Sequence, residues 1–131
     1  MTNEKDLAKT IQTAAAHCRS GGVVLMVPDH FKETFRDKTT HGGCDRDGKG
    51  LRYLQWQYDP DRADSTYVNN FAYMLRDGLD KVTVEHETHV NGLFDRETWQ
   101  HLFHEAGLTA EILPLPHTQT EEWCAILGKK N

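Results

Sequence analysis

The residues best suited to chemistry follow directly after an apolar run near the start of the chain. The run is VVLMV at residues 23–27, and it is followed by Pro28, Asp29, His30 and, slightly later, Glu33. A run that is apolar at every position is typical of a strand buried on both faces of a sheet. Ligands of α/β sheets bind beyond the carboxyl ends of such strands.

His30 is therefore a candidate catalytic base, able to accept a proton from a substrate amine or hydroxyl. Asp29 and Glu33 are candidate substrate-binding residues, and either could orient the imidazole of His30. The alternative is a solvated connection between a strand and the next element, which is the more common role of such residues.

A set of aromatic side chains in the middle of the chain could line a pocket for a flat, apolar substrate. Its members are Tyr53, Trp56, Tyr58, Tyr67, Phe71 and Tyr73. Of these, Tyr53, Tyr67 and Tyr73 are candidate substrate-binding residues. The alternative, and the more frequent role of such residues, is packing between neighbouring strands.

The sequence contains eight histidines, whose imidazole groups are common metal ligands. His101 and His104 would share a helix face and, with Glu105 or a cysteine, could hold zinc. The sequence lacks a Cys-x-x-Cys pair, so we favour a solvated helix face and expect no metal. The three cysteines are odd in number and widely spaced, which favours reduced thiols in a cytosolic protein. No Ser-His-Asp order supports nucleophilic catalysis.

Length and composition exclude several classes of protein. The 131 residues predict a single domain, 1–131. The 15 basic and 20 acidic residues form no basic stripe, so nucleic acid is not an expected partner. No apolar run approaches the roughly 20 residues of a membrane span. The charged start, MTNEKDLAKT, does not have the form of a secretory signal, and we expect a cytoplasmic protein.

Two helices are predicted by apolar stripes of helical spacing. The first covers residues 3–18, with Thr2 or Asn3 as its cap, and glycines 21 and 22 follow it. The second begins after Asp95, which is a good N-cap, and ends at Gly107. Two final strands, 109–115 and 122–127, are predicted on either side of a PHTQT loop.

The region between the two helices is predicted to be a loop followed by a meander. Residues 36–50 are polar and rich in glycine, and we expect a long loop that is a lid, contacts substrate or is simply mobile. Strand-like runs follow at 51–58, 66–75 and 81–90, and their short links require antiparallel pairing. The sequence therefore predicts an antiparallel three-strand insertion over 51–90.

The order of these elements resembles the C-terminal half of class I S-adenosylmethionine-dependent methyltransferases, of the type that acts on N or O of small molecules. The resemblance rests on RSGGVV at 19–24, FDRETW at 94–99 and EAGL at 105–108. It implies an α+β fold with a mixed, largely antiparallel sheet and two main helices. Such a fold would be part of the α/β Rossmann-like fold of a complete methyltransferase. It also implies S-adenosylmethionine as cofactor and a small-molecule substrate.

The family's cofactor-binding residues have no counterpart in this sequence. No Gly-x-Gly-x-Gly turn follows a predicted strand, and four parallel strands of the family's sheet are missing. We therefore expect that this chain alone does not bind the cofactor and is inactive by itself. The strand at 23–27 would keep a free edge, which invites association. We expect a homodimer or a missing N-terminal half at that edge; a non-catalytic α+β module that dimerises or binds a small ligand is the alternative.

Overall fold

The computed structural model describes residues 1–115 and 123–131, which form two helices and seven strands. They divide into two compact units, one made of Met1–Phe35 with Gly92–Asn131 and the other of Arg36–Asn91. Whether the units behave as the single domain expected from the length stays a prediction. Among the described residues, no helix is both long and apolar enough to cross a membrane.

The first unit packs two helices on one face of a three-stranded sheet. The helices are α1 (Glu4–His17) and α2 (Arg96–Glu105). The strands are β1 (Val23–Met26), β6 (Leu108–Leu115) and β7 (Trp123–Lys130), and β7 lies between the other two. Both pairs are antiparallel. The predicted α+β fold with two helices and mostly antiparallel strands is thus confirmed.

Capping side chains define where both helices begin. The Asn3 side chain accepts a hydrogen bond from the Asp6 N–H at 2.9 Å, and Asp95 accepts one from the Thr98 N–H at 2.7 Å. Each bond satisfies a backbone donor that has no partner within its helix. The hydrogen bond from Thr98 lowers the pKa of Asp95. Both predicted caps are confirmed.

The core lies between the helices and the inner face of the sheet. Its most deeply buried members are Leu7, Ile11, Phe103, Leu108 and Ile126. Gly128 of β7 lies against the Phe103 ring so closely that an added Cβ would come within 2.5 Å of it. The absence of a side chain at Gly128 therefore lets α2 approach the sheet.

The prediction that β1 is buried on both faces is wrong for this chain. Val24 is buried, but Val23 and Leu25 are 53% and 59% exposed. The two helices cover the inner face, while the outer face of β1 has no cover from the described residues. Within the described sheet, β1 is also an edge strand, because β7 is its sole neighbour.

The second unit is a four-stranded sheet. Its strands, in order, are β2 (Lys38–Arg46), β3 (Lys49–Tyr58), β4 (Thr66–Asp77) and β5 (Lys81–Gly92). The three predicted strands are present, but the predicted loop at 36–50 is wrong. Its residues form β2 and a tight turn at Asp47 and Gly48. Both of these turn residues have a positive φ. The polar residues before this turn adopt strand structure because they pair with β3, a contact that their local preferences do not indicate.

Candidate functional site

The segment after β1 presents two of the predicted site residues at or near the surface. Asp29 is exposed and His30 is half-buried. The His30 ring meets the Phe35 ring edge to face, with 5.4 Å between centroids. Since Phe35 is buried, this contact fixes the imidazole beside the core. The catalytic role of His30 and the substrate-binding role of Asp29 stay predictions.

Glu33 is held at the start of α2. Its Oε1 accepts a hydrogen bond from the backbone N–H of Arg96 at 3.0 Å. The Arg96 guanidinium lies over the Phe31 ring, 5.4 Å from its centroid, and Phe31 forms a β-bridge with Phe94. Lys32 adds a backbone hydrogen bond to Phe94 at 3.1 Å. These contacts join the segment that carries His30 to the first turn of α2, so Glu33 has a structural role whether or not it meets a substrate.

Arg96 was not identified from the sequence as a site residue. Its Nε is buried and has no hydrogen-bond acceptor among the described residues, and the same is true of Nε1 of Trp99. The interaction of Arg96 with Phe31 could not be read from the sequence, because the two residues lie 65 positions apart.

In the second unit, Tyr53 and Tyr73 are brought together as direct partners on β3 and β4. Phe71 stacks on Tyr73 with 5.6 Å between ring centroids and an angle of 6°. On the other side, the Tyr53 ring lies over Gly42 of β2, where an added Cβ would approach it to 2.8 Å. Tyr67 is on the same face, but it is buried, with only 3% of its surface exposed. Its position favours packing, and its role in binding stays a prediction.

A chain of polar side chains runs across the same face of the sheet. Thr40 Oγ1 donates to Gln55 Oε1 at 2.9 Å, and Gln55 Nε2 donates to Asn69 Oδ1 at 2.9 Å. Gln57 Nε2 donates to the Arg36 carbonyl at 3.1 Å. The sequence contains a signal that places these residues on the face of Tyr53. Residues 53, 55 and 57 are two positions apart, and side chains with this spacing share one face of a strand.

We call this surface the aromatic face, and it has a definite composition. It consists of Leu51, Tyr53, Gln55 and Gln57 on β3 and of Asn69, Phe71, Tyr73 and Leu75 on β4. Flat rings beside positioned amide groups offer stacking and directional hydrogen bonds at once. Such a mixture suits a ligand that is both apolar and rich in hydroxyl groups, such as a sugar ring.

The opposite side of the sheet is the aliphatic face. Its members, each at least half exposed, are Leu54, Trp56, Met74, Val82, Val84 and Val90. The side chain of Thr88 donates to Asn70, and His89 meets the Phe71 ring. These two contacts assign the even positions of β5 to the aliphatic face and the odd positions to the aromatic face.

The histidines of α2 do not assemble a metal site in the structure. His101 Nε2 lies 3.5 Å from Glu105 Oε1, one turn away, and His104 is exposed. Across residues 1–115 and 123–131, no three His, Cys, Asp or Glu side chains are grouped so as to hold a metal ion.

The predicted site residues thus fall into two sets. Asp29, His30 and Glu33 belong to the first unit, whereas Tyr53, Tyr67 and Tyr73 belong to the second. Within its own unit, each set is placed by contacts that tie it to the core or to a neighbouring strand.

No family model matches the chain, but a curated protein and several solved structures are similar to it. One curated relative is the dTDP-3-amino-3,6-dideoxy-alpha-D-glucopyranose N,N-dimethyltransferase of Streptomyces fradiae. It is 27% identical over 115 residues, which are 87% of this chain and 44% of that protein.

Solved structures show the same fold. DesVI of Streptomyces venezuelae matches with a TM-score of 0.84 at 22% identity, over 98% of this chain and 52% of its own. CalS10, an S-adenosylmethionine-bound amino pentose methyltransferase of Micromonospora echinaspora, matches with a TM-score of 0.83 at 14% identity, over 99% and 53%. The chain therefore spans about half the length of the relatives it matches. As the sequence predicted, it resembles S-adenosylmethionine-dependent methyltransferases, and it corresponds to about half of one.

Proposed function

We propose that this chain is the C-terminal, substrate-side portion of an S-adenosylmethionine-dependent methyltransferase that acts on the amino group of a sugar. The observation that supports the proposal is the aromatic face, where Tyr53 and its cross-strand partner Tyr73 lie beside the Gln55–Asn69 hydrogen bond. The Streptomyces fradiae relative, named as an amino-sugar N,N-dimethyltransferase, supports the substrate class.

In this role the aromatic face binds the sugar ring. The rings of Phe71 and Tyr73 supply a flat surface, and the amides fix the orientation of hydroxyl groups. Asn69 uses its Oδ1 to accept from Gln55, which leaves its amide N–H groups for a ligand, since no described residue accepts from them. A ligand that is positioned in this way needs little further help, because positioning contributes most to a transfer between two bound reactants.

His30 is the candidate base of the reaction. A protonated substrate amine must lose a proton before or during attack on a methyl group, and a neutral imidazole can accept it. The methyl group itself would come from S-adenosylmethionine, whose sulfonium is the leaving group. The chain lacks a Gly-x-Gly-x-Gly turn after a strand, so we propose that residues outside it hold the cofactor.

The uncovered side of β1 supports this division of roles. Val23 and Leu25 on the edge strand β1, and Val27 directly after it, are each about half exposed. Exposed apolar side chains next to unpaired backbone groups favour association with another strand. A cofactor-binding half, supplied by further polypeptide or by a partner, is the occupant we propose for this surface.

A second candidate function is a non-catalytic module that dimerises. The observation in its favour is the aliphatic face, on which six large apolar side chains are at least half exposed. Two such faces packed together would form a sandwich. Light scattering on the dilute chain tests this alternative, since a monomer at all concentrations would contradict it.

Nuclear magnetic resonance of the chain tests the substrate role. We expect a thymidine-diphosphate-linked 3-amino-sugar to shift the ring signals of Tyr53 and Tyr73 and the side-chain amide of Asn69. The variant Tyr53→Ala should weaken this binding, whereas Trp56→Ala, on the opposite face of the same strand, should not. Shifts that spare the aromatic face, or equal effects of both variants, would contradict the proposal.

A further inference from the structure

The strand β5 brings a carboxylate close to the stacked rings of the aromatic face. His89 of β5 meets the Phe71 ring edge to face, with 5.5 Å between the ring centroids and an angle of 69°. Glu87 precedes His89 by two residues and therefore lies on the same side of the sheet. Its Oε2 lies 3.2 Å from His89 Nε2, so the imidazole N–H can donate to the carboxylate. Through His89, Glu87 is thus positioned beside the rings of Phe71 and Tyr73.

The carboxylate of Glu87 is accessible and only partly engaged. The side chains of Glu87 and His89 are both more than half exposed. No residue in the described part of the chain donates to Glu87 Oε1, and no Lys or Arg there pairs with this carboxylate. His89 therefore holds one oxygen while the other is available to an incoming donor.

The other charges on this side of the sheet lie away from the stacked rings. The members of the aromatic face on β3 and β4 are uncharged, and Phe71 and Tyr73 lie in the middle of β4. The cations on this side are the first or last residues of their strands, namely Lys38, Arg46, Lys49 and Lys81. Glu85, two residues before Glu87, adds a second carboxylate. The edge of the aromatic face formed by β5 is therefore acidic beside the rings.

A carboxylate next to aromatic rings is suited to an ammonium group. A protonated amine forms a charge-assisted hydrogen bond with a carboxylate. It is also attracted to the face of an aromatic ring. A hydroxyl group carries no charge, so it gains much less from either contact.

We propose that Glu87, positioned by the hydrogen bond from His89, selects the amino sugar by pairing with its protonated amine. The inference rests on the proposed function, because it names the group on the aromatic face that distinguishes an amine from a hydroxyl. In this role Glu87 accepts a hydrogen bond and takes no proton, so His30 is still the candidate base.

Two ligands that differ in a single group test the proposal on the native chain. Both are thymidine-diphosphate-linked sugars, one with an amine at position 3 and the other with a hydroxyl there. Calorimetry at neutral pH gives the two dissociation constants. We expect the amino sugar to bind about tenfold more tightly, which is the gain of a charge-assisted over a neutral hydrogen bond.

The variant Glu87→Gln keeps the size of the side chain and removes its charge. It should abolish the preference for the amino sugar and leave the affinity for the hydroxyl sugar unchanged. The control Glu111→Gln removes the same charge from an exposed position on β6 and should keep the full preference.

Two further variants test the positioning role of His89. His89→Ala should lower the preference for the amino sugar, because Glu87 loses the contact that holds it beside Phe71. His89→Gln should restore part of the preference, since its amide can still donate to the carboxylate. Equal preferences in these two variants would contradict the positioning role.

The outcomes separate this proposal from the proposed function. Equal binding of the two sugars by the native chain would overturn the role of Glu87 while the aromatic face still bound a sugar. An unchanged preference in Glu87→Gln, or an equal loss in Glu87→Gln and Glu111→Gln, would overturn it in the same way. Absence of binding for both sugars would instead contradict the proposed function and this inference with it. Circular dichroism establishes that each variant is folded before the affinities are compared.

Discussion

The carboxylate of Glu33 accepts a hydrogen bond from the backbone N–H of Arg96, with 3.0 Å between Oε1 and the nitrogen. This bond satisfies one of the free donors in the first turn of α2 and places a negative charge at the favourable end of that helix. The Arg96 guanidinium also lies over the ring of Phe31, which precedes Glu33 by two residues. The segment that carries His30 is therefore fastened to a helix that begins more than 60 residues later in the chain.

Substitution of Glu33 should loosen this connection. We expect Glu33→Ala to lower the free energy of unfolding by about 0.5–2 kcal/mol, the usual cost of removing a capping acceptor. Glu33→Gln keeps an acceptor oxygen and should recover most of the loss. Urea denaturation measures both, and equal stability of Glu33→Ala and the native chain would contradict the structural role of Glu33.

Asp95 should make the stability of the chain dependent on pH. The hydrogen bond from Thr98 lowers its pKa in the folded state below the value of about 3.9 in the unfolded state. A lowered pKa means that Asp95 stabilises the fold above the unfolded value and that this contribution is lost as pH falls through the folded value.

The variant Asp95→Asn isolates this contribution, because asparagine caps a helix without titrating. We expect its unfolding free energy to fall less steeply below about pH 4 than that of the native chain. Asp95→Ala should cost about 1 kcal/mol at neutral pH. Identical slopes for the native chain and Asp95→Asn would show that the cap carries no such linkage.

Gly128 should tolerate no side chain. A Cβ there would meet the ring of Phe103 at 2.5 Å, and that ring is fully buried. We expect Gly128→Ala to destabilise the chain by about 1–3 kcal/mol, as overpacking of a core does. Lys129→Ala, at the exposed neighbouring position, is the control and should change the melting temperature little.

The two apolar surfaces make separate predictions about association. If the aliphatic face joins two copies, Val84→Lys should shift the chain to a monomer, while Leu25→Lys on β1 should not. If the edge of β1 is the interface, the effects of the two variants are exchanged. Sedimentation equilibrium distinguishes these outcomes, and a native chain that is already monomeric at high concentration would exclude self-association through either surface.

Much of the fold could be predicted because its signals are local. The caps Asn3 and Asp95 and the alternation of Tyr67, Phe71 and Tyr73 each lie within a few residues of the structure they specify. The strand β2 could not be predicted in this way, since its polar residues acquire strand structure from β3.

The candidate site shows the same limit. Tyr53 and Tyr73 are candidates on the sequence alone because aromatic side chains are conspicuous, and the strand register makes them cross-strand partners. The hydrogen bond of Gln55 to Asn69 joins residues 14 positions apart, and that of Arg96 to Glu33 joins residues 63 apart. Such pairs become visible only when strands and helices are assembled.

The central claim is that the chain carries the substrate side of a methyltransferase while the cofactor is held elsewhere. Paired calorimetric titrations of the native chain test it most directly, one with S-adenosylmethionine and one with a thymidine-diphosphate-linked 3-amino-sugar. We predict saturable heat with the amino sugar and none with S-adenosylmethionine. Saturable binding of S-adenosylmethionine, or no binding of the amino sugar, would contradict the claim.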